Sequence, residues 1–154
     1  MGFKIKTNIQ NTATPLMIKK GVITSGVTVA DGALCRDDGA GRVTLAATGE
    51  AVAYIAQIPD GVSKVGTSGA VEITLRIVHP GAVLAVAQGA IADADAQPGD
   101  FVDIATGSAG LAAASNNDLR VHKLDTVANI VYAVPMNLAF GGSRGLMGPQ
   151  GTPG

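Results

Sequence analysis

The sequence predicts an all-β domain, a small β-barrel or β-sandwich of short strands, followed by a collagen-like Gly-X-Y segment. Polar and apolar residues alternate strictly in FKIKTNIQ (residues 3–10) and VEITLRI (residues 71–77), and a period of two is typical of half-buried strands. Short β-branched runs also recur between turn-forming residues, which indicates a barrel or sandwich. We expect an N-terminal extended arm or strand over residues 1–15, the β-rich domain over 16–140 and the tail over 141–154.

The first alternating segment separates an apolar side from a polar side: Phe3, Ile5, Thr7 and Ile9 against Lys4, Lys6, Asn8 and Gln10. Two interpretations are equally open. The segment is either an internal strand of its own domain or an arm that adds itself to the sheet edge of a neighbouring molecule, where main-chain hydrogen bonds would supply the affinity. Lysines stand on both sides of the polar stretch 8–15. The candidate contacts to a partner are therefore Phe3, Lys4, Ile5, Lys6, Lys19 and Lys20.

The segment at 71–77 predicts the clearest half-buried strand, with Val71, Ile73, Leu75 and Ile77 facing the core. Further strands are predicted at Leu16–Ile18, Val22–Thr24, Val27–Val29, Arg42–Leu45, Ala51–Ile58, Ala82–Val86, Phe101–Ala105 and Val127–Val134. Turn signals separate them at Asp31-Gly32, Asp38-Gly39, Pro59-Asp60-Gly61, His79-Pro80-Gly81, Pro98-Gly99-Asp100 and Asn116-Asn117-Asp118. The best helix candidates are the short segments Gly89–Ala96 and Asp118–Leu124.

Composition narrows the range of partners. Apolar residues make up 47% of the chain, but it has only two Tyr, three Phe and no Trp, so Ala, Val, Ile and Leu must build the core. The net charge is −1 and the Lys and Arg residues are scattered, so we expect no nucleic-acid partner. No uncharged run of 18 apolar residues is present and the first residues lack a secretory signal, so we expect synthesis in the host cytoplasm and no membrane partner.

The residues available for chemistry are few. Cys35 is the only cysteine, which excludes an intrachain disulfide, and we expect it to be a small core residue. His79 and His122 belong to no catalytic motif, and no serine lies in a G-x-S-x-G turn. We therefore predict no enzymatic activity, no catalytic residue and no cofactor.

A calcium site is the one metal alternative that the sequence raises, because hard cations prefer clustered carboxylate oxygens. Asp93, Asp95, Asp100 and Asp103 lie close together in the chain. However, Pro98 occupies the sixth place counted from Asp93, where an EF-hand loop needs glycine, and the twelfth place is not a glutamate. The spacing favours a solvated acidic loop, so we predict no metal.

The chain ends in GSRGLMGPQGTPG, four complete Gly-X-Y triplets and a further glycine, with the register Gly142, Gly145, Gly148, Gly151 and Gly154. In a collagen helix three polyproline-II chains pack so tightly that only glycine fits at the shared axis. The register therefore predicts two parallel partner chains, whereas the alternative is a flexible glycine-rich tail. Four triplets are too few to hold a triple helix alone, so we expect the upstream domain to be trimeric. Because Gly154 opens a fifth triplet, we also expect the repeat to continue.

Four runs carry a resemblance to a known family: GVI (21–23), VTVADG (27–32), EAVAYIA (50–56) and PGDFV (98–102). In their Gly-Asp steps and glycine-spaced Ala/Val strands they resemble the small capsid decoration (cement) proteins of tailed bacteriophages, over residues 15–140. The resemblance implies a trimer seated on the outer capsid lattice. It identifies no binding residues.

Together, tail and resemblance predict a virion structural protein on the outer capsid surface. This capsid decoration or head fibre protein would form a homotrimer, bind the major capsid protein, stabilise the shell and project a collagen-like fibre. The alternative is a tail-fibre or receptor-binding (adhesion) module, with host-surface glycans reached through the tail as partners. Such sites usually use exposed aromatic side chains, and this chain has only five aromatic residues.

Overall fold

A computed structural model describes residues 2–10 and 16–140 of the chain. Within them lie thirteen strands and one 3-10 turn at Asp93–Asp95: Lys4–Asn8 (β1), Ile18–Val22 (β2), Thr28–Val29 (β3), Leu34–Asp37 (β4), Val43–Leu45 (β5), Tyr54–Gln57 (β6), Lys64–Val65 (β7), Glu72–Ile77 (β8), Ala82–Ala87 (β9), Phe101–Ile104 (β10), Leu111–Ala112 (β11), Leu119–Asp125 (β12) and Ile130–Pro135 (β13). The predicted tail glycines lie outside the described residues.

The strands form two main antiparallel sheets. The six-stranded sheet has the order β1-β9-β13-β12-β10-β11, the five-stranded sheet has the order β2-β8-β6-β4-β5, and β3 pairs with β7 separately. The all-β prediction is confirmed. Over the described ranges neither sheet closes on itself, so the strands form open sheets instead of a barrel.

A first core fills the space between the two main sheets. Leu84 and Val131 contribute to it from the six-stranded sheet, while Leu34 and Ile55 contribute from the five-stranded sheet, and all four side chains are almost fully buried. A second core covers the opposite face of the five-stranded sheet and includes Val29 of β3. The five-stranded sheet is therefore buried on both faces.

Strand β6 shows how this double burial shapes the sequence. Ile55 belongs to the first core, whereas its neighbours Tyr54 and Ala56 belong to the second. All three side chains are at most 3% exposed. A strand between two cores has no polar side, so the apolar run at 51–58 does not alternate.

The N-terminal segment is an internal strand of its own domain. β1 pairs with β9 at the edge of the six-stranded sheet, and the Phe3 side chain is only 1% exposed in the first core. The Phe3 N–H donates to the Gly32 carbonyl at 2.8 Å. Gly32 has φ +78°, and a Cβ there would lie 2.6 Å from the Gly2 Cα, so the close passage of the two chain segments requires glycine.

A β-bulge in β1 changes the face of the sheet to which the side chains after it point. Ile5 pairs with Leu84, but the register shifts by one residue and Thr7 then pairs with Val83. Since side chains alternate, a one-residue shift moves every following side chain to the other face. The prediction that Ile9 shares the core side with Phe3 is therefore wrong: Ile9 is 56% exposed.

Both helix predictions need correction. Asp118–Leu124 lies almost wholly within strand β12, which contains a bulge between Val121 and Lys123. The extra residue interrupts the alternation of polar and apolar side chains. The apolar residues of this segment, Leu119, Val121 and Leu124, therefore do not follow a period of two, and their spacing resembles that of a helix. In Gly89–Ala96 only Asp93–Asp95 forms a helical turn, of the 3-10 type.

Two buried carboxylates connect the loops of the two sheets, and the first belongs to Asp103, which is 3% exposed. Backbone N–H groups of Ser115 and Asn116 each donate to its Oδ2 atom at 2.9 Å. Burial by itself would raise the pKa of this carboxyl, but hydrogen bonds from the Asn116 and Asp118 N–H groups and the Thr48 hydroxyl outweigh that effect. The pKa of Asp103 therefore lies below its ordinary value.

The second carboxylate, that of Asp118, is 5% exposed and reaches the loop between β5 and β6. It accepts the Thr48 hydroxyl at 2.7 Å, the Gly49 N–H at 2.8 Å and the Ile104 N–H at 2.9 Å. Hydrogen bonds to a buried charge are stronger than neutral ones. The pair therefore holds the loop of one sheet against the other sheet.

We expect Asp103→Asn to lower the free energy of unfolding by about 2–3 kcal/mol, because the new amide would place donors against the N–H groups of Ser115 and Asn116. In thermal unfolding this corresponds to a fall in the midpoint of roughly 4–12 °C. Asp60→Asn is the matched control, since the exposed Asp60 accepts a local N–H from Val62 and an amide oxygen can accept it equally well. We expect the control to change stability by less than about 0.5 kcal/mol.

The difference between Asp103→Asn and the wild type should also depend on pH. A carboxyl whose folded-state pKa is depressed stabilises the protein above its unfolded pKa of about 3.9, and this contribution is lost as the pH falls through the folded-state pKa. The gap between the two unfolding midpoints should therefore narrow as the pH is lowered from about 6 towards 3. Equal midpoints of the two proteins at pH 7 would contradict the assigned role of Asp103.

Candidate interaction surface

The side of the six-stranded sheet that faces away from the first core is here called the outer face. It consists of the exposed and partly exposed strand positions that alternate with those of the first core, and of the bulge residues beside them: Lys4, Lys6, Thr7, Ala85, Ala87, Phe101, Arg120, His122, Lys123, Asp125, Ile130, Tyr132 and Val134. A sheet with one face on the core and the other towards solvent is usually polar on its outer side. Here the middle of that side is apolar.

One row of side chains crosses the outer face in register. Lys4 pairs with Ala85, Ala85 with Tyr132, and Tyr132 with Lys123. Neighbouring strands lie about 4.8 Å apart, so the two lysines are separated by roughly 14 Å. The Lys123 ammonium lies 5.9 Å from the centre of the Tyr132 ring, which is within the range of a cation–π contact. The row thus presents an aromatic ring between two positive charges.

The outer face is basic although the chain as a whole is slightly acidic. It carries four of the 11 Lys and Arg residues and only one of the 12 Asp and Glu residues of the chain. The cations are Lys4, Lys6, Arg120 and Lys123, and all four are exposed. A surface with such an excess of one sign favours association with a surface of the opposite sign.

An apolar groove of about 470 Å³ continues the outer face. Ile9, Pro98, Val134 and Met136 contribute its apolar side chains, and Arg120 and His122 also line it. The bulge in β1 is what brings Ile9 here. The surface therefore offers apolar area for burial as well as charge.

The structure divides the six predicted contact residues among three places. Phe3 is buried and Ile5 packs against the first core, so their side chains belong to the interior. Lys4 and Lys6 stand on the outer face. Lys19 and Lys20 lie on β2, at the edge of the other sheet. A single flat partner surface cannot meet all six residues.

Lys19 belongs to a second polar and aromatic group, here the exit cluster: Lys19, Asp37, Tyr54 and Phe140. The Lys19 ammonium donates to the Tyr54 hydroxyl at 3.1 Å, and this hydroxyl lies 3.0 Å from both carboxylate oxygens of Asp37, to which it donates. The hydrogen bond to Tyr54 raises the pKa of Lys19 above its ordinary value. Burial is the main reason why the pKa of Tyr54 is raised. The Lys19 ammonium therefore keeps its charge at neutral pH.

Phe140, the last described residue, closes the exit cluster. Its ring centre lies 5.6 Å from that of Tyr54 at an interplanar angle of 55°, a favourable tilted geometry. The two differ in burial, since Tyr54 is 1% exposed and Phe140 is 38% exposed. The last described residue therefore presents an aromatic ring that is only partly covered.

The residues considered for chemistry do not form a site. The Cys35 side chain is fully buried, and burial raises the pKa of its thiol to about 12. His79 lies in the turn before β9, whereas His122 lies on the outer face. Of the acidic residues that were weighed as calcium ligands and rejected, Asp93 accepts from the Gln88 amide and Asp100 from the Gln97 N–H. In the part of the chain that the structure describes, no three His, Cys, Asp or Glu side chains lie close enough together to bind a metal ion.

Among the same residues, no helix is long and apolar enough to cross a membrane.

Comparisons of the chain with protein-family models, with curated proteins and with solved structures find no match.

The cations of β12 were not predicted to belong to the surface. Arg120 and Lys123 lie in the segment for which a helix was predicted, and Tyr132 was considered only as part of a strand. One sequence signal could have found them: a hairpin that pairs residues 119–125 with 130–135 places Lys123 beside Tyr132. The bulge at His122 hides this signal.

Proposed function

We propose that the protein is a structural protein of a virion and not an enzyme: a homotrimeric capsid decoration or head fibre protein. Its outer face binds the major capsid protein on the outer surface of the shell, and its collagen-like tail projects away from the shell. Lys4 and Lys6 contact the capsid, together with Arg120 and Lys123. The function is mechanical, because the protein holds capsid subunits together.

The observation that carries this proposal is the arrangement of layers in the domain. The outer face lies on one side of the six-stranded sheet, and the first core and the five-stranded sheet follow behind it. Phe140 lies beside Tyr54, whose ring belongs to the second core on the far side of the five-stranded sheet. A domain that rests on a shell through its outer face would therefore release its tail on the side away from the shell.

The glycine register of the tail supports the trimeric state. Five glycines at three-residue spacing, Gly142 to Gly154, begin two residues after the last described residue. A polyproline-II chain has no internal hydrogen bonds, so such a repeat is stable only when it is packed with two further chains. The resemblance of residues 15–140 to capsid decoration proteins supports the same assignment.

Stabilisation of the shell would follow from mass action. A protein that binds only assembled capsid subunits lowers the free energy of the assembled state by RT ln(1 + [L]/Kd), about 2.7 kcal/mol at a concentration of one hundred times Kd. Binding at many lattice positions adds such terms over the whole particle. No chemical step is needed.

The test is to strip the protein from particles of the phage that encodes it and then to add the purified protein back. We expect the stripped particles to release their DNA at a lower temperature than complete particles, and the added protein to restore the release temperature. Dye accessibility of the DNA during heating measures this directly. Equal release temperatures with and without the protein would contradict a stabilising role and would favour an adhesive role of the fibre.

A further inference from the structure

The place where the tail leaves the domain limits where a trimer axis can lie. Phe140 is held beside the almost fully buried Tyr54, and the hydroxyl of Tyr54 is bonded to Lys19 and Asp37. Three different strands, β2, β4 and β6, therefore hold the exit cluster. Phe140, the last described residue, is thus anchored to the body of the domain.

The distance from this anchor to the first tail glycine is short. Gly142 follows Phe140 by two residues, and each residue of an extended chain spans at most about 3.6 Å. Two residues of chain can therefore span at most roughly 7 Å from the Phe140 Cα. In a collagen helix the glycines are the residues that meet at the shared axis.

We infer that three copies of this chain meet at their exit clusters, with the three-fold axis of the trimer within roughly 10 Å of each Phe140 Cα. The inference rests on the proposed trimer and adds the surface through which its domains contact one another. The partners that contact the exit cluster of one copy are the second and third copies of the chain. All three tails must begin near the same axis, so the three exit clusters lie next to one another.

The chemistry of the exit cluster suits such a contact. Phe140 keeps 38% of its surface exposed, and three copies around an axis can cover one another's rings. Lys19 and Asp37 are both exposed and are bonded to the same Tyr54 hydroxyl, so each copy offers a positive and a negative group. In a cyclic trimer the contact is heterologous, and one group of a copy can face the opposite group of the next.

Cross-linking with a short three-armed maleimide tests the inference on the full chain. We expect Phe140→Cys to give covalent trimers in denaturing gels. Ala139→Cys is a second variant, exposed and one residue away, in case the loss of the Phe140 ring disturbs the fold. The native Cys35 is fully buried with a raised thiol pKa, so it should not react in the folded protein.

Val127→Cys is the matched control. Val127 is 92% exposed, so its thiol is fully accessible, but it lies at the opposite end of β13 from the exit cluster. The six residues of β13 separate the two ends by about 20 Å. We expect this variant to react with the reagent and to remain a single chain.

The outcomes separate the inference from the proposed function. Sedimentation as a trimer together with cross-links at position 127 and none at 139 or 140 would overturn the inference and leave the trimer intact. Sedimentation as a monomer would overturn both the inference and the trimer. Trimers cross-linked at position 140 that fail to protect stripped particles would support the inference and overturn only the capsid role.

Discussion

Replacement of Gly145, Gly148 and Gly151 together by alanine is expected to weaken the trimer and to leave the β domain folded. The added methyl groups clash where three chains meet at the axis, and each such substitution locally disrupts a collagen helix. In an isolated chain the same methyl groups meet no partner. The domain keeps its two cores, which lie within residues 2–140.

Gln150→Ala is the control for this experiment, since it changes a position between two glycines of the register and leaves the register intact. Sedimentation equilibrium should show that the trimer of the triple variant dissociates at a higher protein concentration than the trimers of the wild type and the control. Circular dichroism should show the same β-sheet signal in all three proteins. A triple variant whose trimer dissociates at the same concentration as the wild-type trimer would show that the tail is a flexible segment and that the trimer depends on the domain alone.

Reversal of two charges on the outer face, Lys4→Glu with Lys123→Glu, is expected to weaken binding to stripped particles by at least about tenfold, which corresponds to about 1.4 kcal/mol. The two lysines end the row that crosses the sheet on either side of Tyr132, so both would face the same partner surface. Both are exposed, and the free energy of unfolding should therefore change by less than about 0.5 kcal/mol. Co-sedimentation with particles measures the loss.

The control is Lys20→Glu with Lys64→Glu, which changes the net charge by the same amount at exposed positions away from the outer face. We expect its binding to stay within about threefold of the wild type, because screening limits the effect of distant charges at physiological salt. Equal losses in both variants would show that only net charge matters. A loss confined to the control would move the contact to β2, where Lys19 and Lys20 were also predicted to bind.

Much of the fold could be predicted because its signals are local. The alternation at 71–77 places Ile73 and Leu75 in the second core and leaves Glu72 exposed. The predicted turns are confirmed by left-handed backbone conformations at Gly32, Gly39, Gly61, Gly81, Gly99 and Asn117. Such conformations depend on the residue itself and hardly on distant parts of the chain.

The candidate surface could be predicted only in part. Lys4 and Lys6 were found because β1 alternates until its bulge, and they are indeed exposed. Arg120 and Lys123 were missed because a second bulge interrupts the alternation in β12. In both strands the position of the bulge depends on the strand with which it pairs. Residues 4–8 pair with residues 82–85, which are far away in the sequence, so local patterns do not reveal the bulge.

By itself, then, the sequence determined the period-two strands, the turns between them and the glycine register of the tail, because each of these depends on a few neighbouring residues. Only the tertiary structure decided that β6 is buried on both faces, that Ile9 points to the outer face, and that Phe140 lies beside Tyr54. The physical reason is that the alternation of polar and apolar residues assigns side chains to the two faces of a strand, but it does not determine which residues cover each face. The contacts that cover them come from residues far away in the chain, and packing selects the pairing and register that bury the most apolar surface.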